Sequence, residues 1–283
     1  MEWRKAKGSY WKPSHTATKP VKKVTFSSVL AEILFTLAFL LFLYILWQLW
    51  WTTFMVQDGL KDAVSTFQSE NPTAGSDTEP THHTDAPPKV DDVAYGEIYG
   101  VLHVMEWNWM QIPIAQGTGS DVLDLGYAGH YETTQQAGEV GNFAVAAHRR
   151  TYGNNFRRID TLTEGDQVVV EVAQAYLVYE VIGYEIVSPL QSKVLWPVPH
   201  DSTAIPTERL MTMTTCHPEY GNSERYIVYS KMVYWTDKSE GKLGLLKDEP
   251  AIGGEFTTGE ASSGYAGQLQ ESALDPRNWE QAA

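Results

Sequence analysis

The sequence predicts a mostly β domain, the size of a closed barrel, behind one N-terminal transmembrane helix. Three observations carry this. Val29–Trp51 (VLAEILFTLAFLLFLYILWQLWW) is apolar except at Glu32, Thr36 and Gln48. From Tyr95 to about Trp235 the chain breaks into short apolar and β-branched runs with turn signals between them. Few segments in that stretch carry a helical period.

Residues 1–28 hold seven basic side chains against one acid, Glu2, and read as a basic cytoplasmic segment. The apolar stretch 29–51 spans roughly 35 Å as a helix, enough to cross a bilayer core with some tilt. Trp47, Trp50 and Trp51 cluster at its far end like an aromatic belt. No small-x-small cleavage site follows, so the segment reads as an uncleaved signal anchor. This orientation puts the N-terminus in the cytoplasm and everything after Trp51 outside the cell.

Residues 52–94 read as an extracellular tether. Its first part, 52–68, can continue as a frayed amphipathic helix. Its second part, 69–91, is rich in Pro, Ser, Thr and acid and has no apolar period. His82 and His83 lie there and read as part of a solvated tract. Candidate strands follow at Ile98–Met105, Asn108–Ile114, Asn142–Ala147, Gln167–Val172, Tyr176–Ile186, Arg209–Thr215 and Arg225–Tyr234. Ser120–Leu125 and Asn155–Leu162 can each make two helical turns. Residues 95–238 thus form the expected catalytic domain, and a fragment from Asp91 to Lys238 is expected to fold alone. Residues 239–283, rich in Gly, Ser, Glu and Ala, read as a disordered acidic tail.

Composition narrows the chemistry. The 283 residues carry a formal charge of −14, which argues against a nucleic-acid partner. A single cysteine excludes an intrachain disulfide and a Cys-rich zinc site. No metal site or cofactor is expected. That cysteine, Cys216, ends a β-like run and precedes His217-Pro218, so it sits at a strand terminus beside a loop. A nucleophilic thiol needs an acid/base partner and an oxyanion stabiliser. His148 ends another apolar run, NFAVAAHRR, and can share one barrel mouth with Cys216. His217 points to the other face of an extended chain and is the wrong partner. Arg225 opens the strand nine residues after Cys216, where a guanidinium can hold an oxyanion or a peptide carbonyl. A surface ion pair with Glu219 or Glu224 is the competing reading.

The segments LGYAGHYETTQQAGEVGNFAVAAHRRTYGNNFRRIDTLTEGD and MTMTTCHPEYGNSERYIVYSKM closely resemble sortases, membrane-anchored cysteine transpeptidases of Gram-positive bacteria. The family's T-L-x-T-C motif stands here as Thr212 to Cys216, with Arg225 following. The H-R-x-T-Y-G turn, the Cys-x-Pro and the L-W-x-L-W-W membrane exit look most like class E sortases of actinobacteria. The resemblance covers about residues 95–236. It departs from the family pattern at Met213 for Leu, Ala147 for Gly and His217 for Asn.

The resemblance implies a closed sortase-type β-barrel of about eight strands with short helices. It implies Cys216 as nucleophile, His148 as acid/base and Arg225 as the oxyanion-side donor. It also places His130, Thr214 and Thr215 near the substrate, His130 in a structural or substrate-positioning role. The implied reaction cleaves an LAxTG- or LPxTG-like C-terminal sorting signal between Thr and Gly. The resulting thioester passes to a cell-wall amine on a lipid II-type peptidoglycan precursor. The implied partners are therefore sorting-signal surface proteins, that precursor and the membrane. A papain-like protease has its Cys before its His, and an L,D-transpeptidase has its Arg almost next to the Cys. A pilus-polymerising sortase usually adds a D-P-F/W lid and a second membrane segment, which are not seen here. A non-catalytic anchored binding module is the remaining alternative.

Overall fold

The computed structural model describes residues 25–47, 52–75 and 78–247. The chain divides after Ile45 into two units. In the first, helix α1 (Phe26–Leu46) exposes every described side chain and is long and apolar enough to cross a membrane. The Thr36 hydroxyl donates 2.8 Å to the Glu32 carbonyl, which satisfies a polar group that hydrocarbon would not. Trp50, Trp51 and residues 1–24 lie outside the described residues.

The second unit begins with helix α2 (Thr52–Glu70). Eight strands follow: β1 (Ile98–Val104), β2 (Met110–Gln116), β3 (Ala128–His130), β4 (Gly141–Ala146), β5 (Gln167–Val172), β6 (Ala175–Val187), β7 (Arg209–His217) and β8 (Glu224–Asp237). They close into a barrel in the order β1-β2-β3-β4-β7-β8-β6-β5. The pairings β2/β3 and β4/β7 are parallel and the others antiparallel. A four-residue helix α3 (Ser120–Leu123) lies between β2 and β3, and a 3₁₀ turn covers Ile159–Thr161.

Alternation along the strands fills the barrel. Phe143, Val145, Val168, Val170, Met211, Met213 and Val228 face the interior, and each is fully buried. The outward face of β5 is buried as well. Val169 meets Tyr176, Val178 and the segment after β8, where Leu243 and Leu246 have no exposure. Val64 and Phe67 of α2 cover Val101 in the same way. Between these two covers sits a buried polar knot. Glu171 lies 2.9 Å from His103 Nε2 and 2.6 Å from Lys238 Nζ. The Gln68 amide also donates to Glu171, at 3.0 Å, and Lys238 donates to the Asn71 carbonyl at 2.6 Å. Burial acts to raise the Glu171 pKa, but His103 and Lys238 outweigh it and hold it at about 2.

The boundaries of the folded unit therefore differ from those expected. Residues 79–93, read as a flexible tether, lie as a strap along the barrel. His83 exchanges two backbone hydrogen bonds of 2.9 Å with Trp235. The rings of His82 and His83 stack on Tyr234 and Trp235, with centroids 3.9 and 4.5 Å apart, so these histidines are not a solvated tract. Val90 and Val93 pack against the main core. The first part of the expected tail, through Lys247, is docked, and residues 248–283 lie outside the described residues. Composition hid the strap because stacking rings and backbone bonds need no apolar period.

A fragment from Asp91 to Lys238 is accordingly expected to lose its fold, whereas one from Thr52 to Lys247 keeps it. The shorter fragment uncovers Val101 and Val169 and deletes Leu60, Val64, Phe67, Leu243 and Leu246, all buried. Burial of each such side chain contributes about 1.5–3 kcal/mol. Thermal melts of the two fragments decide it, and equal melting points would show that these covers add nothing.

Candidate active site

Three adjacent strands, β4, β7 and β8, position the expected catalytic side chains. β4 runs parallel to β7 with Val145 beside Met213 and Ala146 beside Thr214. The ladder continues past the strand end. Ala147 donates its N–H to the Thr214 carbonyl at 3.3 Å, and the Thr215 hydroxyl donates to the Ala147 carbonyl at 2.7 Å. Carried two residues beyond the last pair, this register leads to His148 at the level of Cys216. On the other side β8 runs antiparallel to β7, with Cys216 opposite Arg225. Neighbouring strands lie roughly 4.8 Å apart, so Cys216 and Arg225 stand side by side.

Parity fixes the face. Met211 and Met213 of β7, Phe143 and Val145 of β4, and Tyr226 and Val228 of β8 point into the barrel. Cys216, His148 and Arg225 fall on the alternate positions and share the outer face. Cys216 is a free thiol, half-buried. The Arg225 Nη1 donates to the carbonyls of Asn222 at 3.0 Å and Glu224 at 2.8 Å. Neither candidate surface partner holds it through a carboxylate. Glu219 pairs with Arg150 at 3.0 Å and Arg157 at 3.3 Å, and Glu224 Oε2 lies 4.0 Å from His217. The competing ion-pair reading of Arg225 thus has no counterpart among the described residues.

The three residues expected near the substrate are placed differently. His130 has no exposure. Its Nδ1 lies 2.8 Å from Gln116 Oε1, and its Nε2 lies 2.9 Å from the Gln135 carbonyl. Burial pulls its pKa down to about 4, which keeps the ring neutral. Thr215 is buried under its bond to Ala147. Thr214 is buried 3.1 Å from the Tyr131 hydroxyl. All three are buried and tie neighbouring strands together. The GHY block that marks His130 in the sequence marks a buried β3 position.

Sequence reasoning passed over two residues here. Arg149, the neighbour of His148, is buried, and its Nη2 donates 2.7 Å to Asp160. Its Nη1 lies 3.0 Å from His217 Nδ1 and 3.5 Å from the Cys216 carbonyl. It stitches the loop after β4 to the end of β7 and accounts for where His217 points. The HRR run was the available signal. Asp124, at the end of α3, lies 2.8 Å from His148 Nε2. Twenty-four positions separate that pair in the chain, and only the closed barrel brings them together. Among the described residues no group of three or more His, Cys, Asp or Glu side chains could hold a metal ion.

The chain can now be set beside known proteins. The sortase domain family matches residues 102–233, the stretch from β1 into β8. Sortase SrtE1 of Streptomyces coelicolor is 34% identical over 237 residues, which is 81% of this chain and 64% of that relative's length. Sortase SrtE2 of the same organism is 31% identical over 226 residues, 76% of this chain and 84% of that relative. The solved structure of the SrtA sortase from Actinomyces oris superposes with a TM-score of 0.57 at 51% identity, covering 59% of this chain and 97% of that one. A match at 31% identity over 84% of SrtE2 goes beyond a shared barrel: the chain belongs to the sortases, a family of cysteine transpeptidases, and resembles its class E members.

Proposed function

We propose that this sortase cleaves a C-terminal sorting signal of LAxTG or LPxTG type between Thr and Gly and joins the protein to a cell-wall amine. What supports this is the pairing of Cys216 with Arg225 across β7 and β8, together with the parallel β4/β7 register that runs on toward His148. In this reading the Cys216 thiol passes its proton to His148 and its sulfur attacks the threonine carbonyl carbon. The Arg225 guanidinium steadies the oxygen that becomes negative. His148 gives a proton to the departing glycine amine, leaving a thioester on Cys216. An incoming amine loses its proton to His148 and attacks the thioester. The thiol is restored and the product carries a new amide bond. A lipid II-type precursor is the proposed source of that amine.

Helix α1 is the proposed anchor, with the basic N-terminus in the cytoplasm and the barrel outside. Confining enzyme and substrate to one membrane raises their effective concentration for each other. The test incubates the protein with LAxTG and LPxTG peptides and an amine and identifies products by mass. The expected product is the peptide cut after Thr and joined to the amine. Hydrolysis alone, or no cleavage of either peptide, overturns the proposal.

A further inference from the structure

The loop after β4 presents His148 in an unusual setting. Four consecutive residues have positive φ: Thr151 at 105°, Tyr152 at 47°, Gly153 at 96° and Asn154 at 56°. Three of them are not glycine, and such a run persists only where its surroundings over-determine it. Those surroundings are specific. The Thr151 N–H donates to Asn154 Oδ1 at 2.8 Å, and the Phe156 N–H donates to the His148 carbonyl at 3.1 Å. The strained turn lays the Tyr152 ring on the His148 imidazole, with centroids 5.3 Å apart.

The imidazole is also held from another loop. Asp124 Oδ1 lies 2.8 Å from His148 Nε2. Asp124 closes α3, its N–H donating to the Ser120 carbonyl at 2.9 Å. The next turn bends at Gly126, with φ at 81°. The Gly126 carbonyl accepts a hydrogen bond from the buried Asn155 amide of the strained loop. A Cβ on Gly126 would lie 2.9 Å from the Tyr152 carbonyl and 2.7 Å from Val56 of α2. The two loops are therefore locked to each other, with α2 against them.

We infer that Asp124 is a positioning residue that fixes the tautomer and the direction of the His148 ring. This rests on reading His148 as the acid/base. A carboxylate only accepts, so it keeps the hydrogen on Nε2 and leaves Nδ1 as the nitrogen with a free lone pair. The protons of the reaction then move at Nδ1. Nδ1 receives the Cys216 proton and passes it to the leaving amine, then takes one from the incoming amine and returns it to the sulfur. Asp124 itself exchanges none. Tyr152 restrains the second degree of freedom, the tilt of the ring.

The experiment uses the full chain in detergent, with histidine labelled by ¹⁵N and the sorting-signal peptide as substrate. In the parent protein His148 shows a protonated Nε2 and an unprotonated Nδ1, its signals assigned by their loss in His148→Ala. Asp124→Ala gives a mixture of tautomers. Its kcat falls about 10- to 100-fold, less than for a fully buried triad carboxylate because Asp124 is partly exposed. KM stays within about twofold, since the substrate is still bound. Asp124→Glu, which restores a carboxylate, recovers part of the rate and the single tautomer. Unchanged ¹⁵N signals in Asp124→Ala overturn the inference whatever the rate does, and so does an unchanged kcat. Full turnover by His148→Ala would instead overturn the acid/base reading, which separates the two failures.

Discussion

Replacing Cys216 with Ala is expected to leave a folded barrel that neither cleaves nor transfers. The side chain is half-buried on the outer face of β7, and the substitution removes one sulfur without touching the ladder to Arg225. Stability should therefore move little. Chemistry should not survive, because no other thiol exists in the chain to form the acyl intermediate. Loss of a nucleophile that acts in concert with its base costs on the order of 10⁶ in kcat. The measurement is product formation by mass, beside a thermal melt of the same preparation. Turnover retained in a protein of unaltered melting point would take Cys216 out of the mechanism.

Arg225→Lys is expected to lower kcat/KM by about 10²–10³, the typical loss when one oxyanion donor is removed. The charge is kept in this change, so the argument turns on shape. One nitrogen of the guanidinium is already committed to the Asn222 and Glu224 carbonyls, which fixes the plane of the group beside Cys216. A planar fork can hold those carbonyls and still offer its remaining N–H groups to a substrate oxygen. An ammonium must choose between them. Had Arg225 served only in a surface ion pair, the same change would cost ~0–1 kcal/mol of stability and almost nothing in rate. A near-normal rate with a slightly lowered melting point would leave Cys216 and His148 in need of another stabiliser.

Strand periodicity made most of the barrel legible, because Val168, Val170 and Val172 or Met211 and Met213 must alternate to fill it. It missed β3, whose three residues are too few to show a period and whose partner strands come from both sides. The strap and the docked end after β8 were missed because their contacts are aromatic stacks and a few leucines in an otherwise polar stretch. Glu171, an apparent solvent-facing position in β5, is buried because α2 and Lys238 close over it. In the site, the ends of long strands were readable from where apolar runs stop at His148 and Cys216. Of the two roles expected for His130, structural or substrate-positioning, its full burial fits the first, although a GHY stretch gives no sign of burial. Asp124 was invisible because an acid beside a short helix looks like any solvated acid until the loops are brought together.

The closed ladder has one more consequence. Many peptide-binding proteins read an extended ligand by letting it join the free edge of a sheet, where main-chain bonds supply affinity regardless of sequence. Here β7 is already bonded to β4 through Thr214 and to β8 through His217, so the main chain of this strand is largely taken. On the proposed reading, a sorting signal lying across this floor finds little free β7 edge to join. It must be told apart by its side chains and by the loops at the strand ends. Discrimination and scaffold are thus decoupled, and the preferred motif can change by substitution in those loops while the barrel beneath keeps its register.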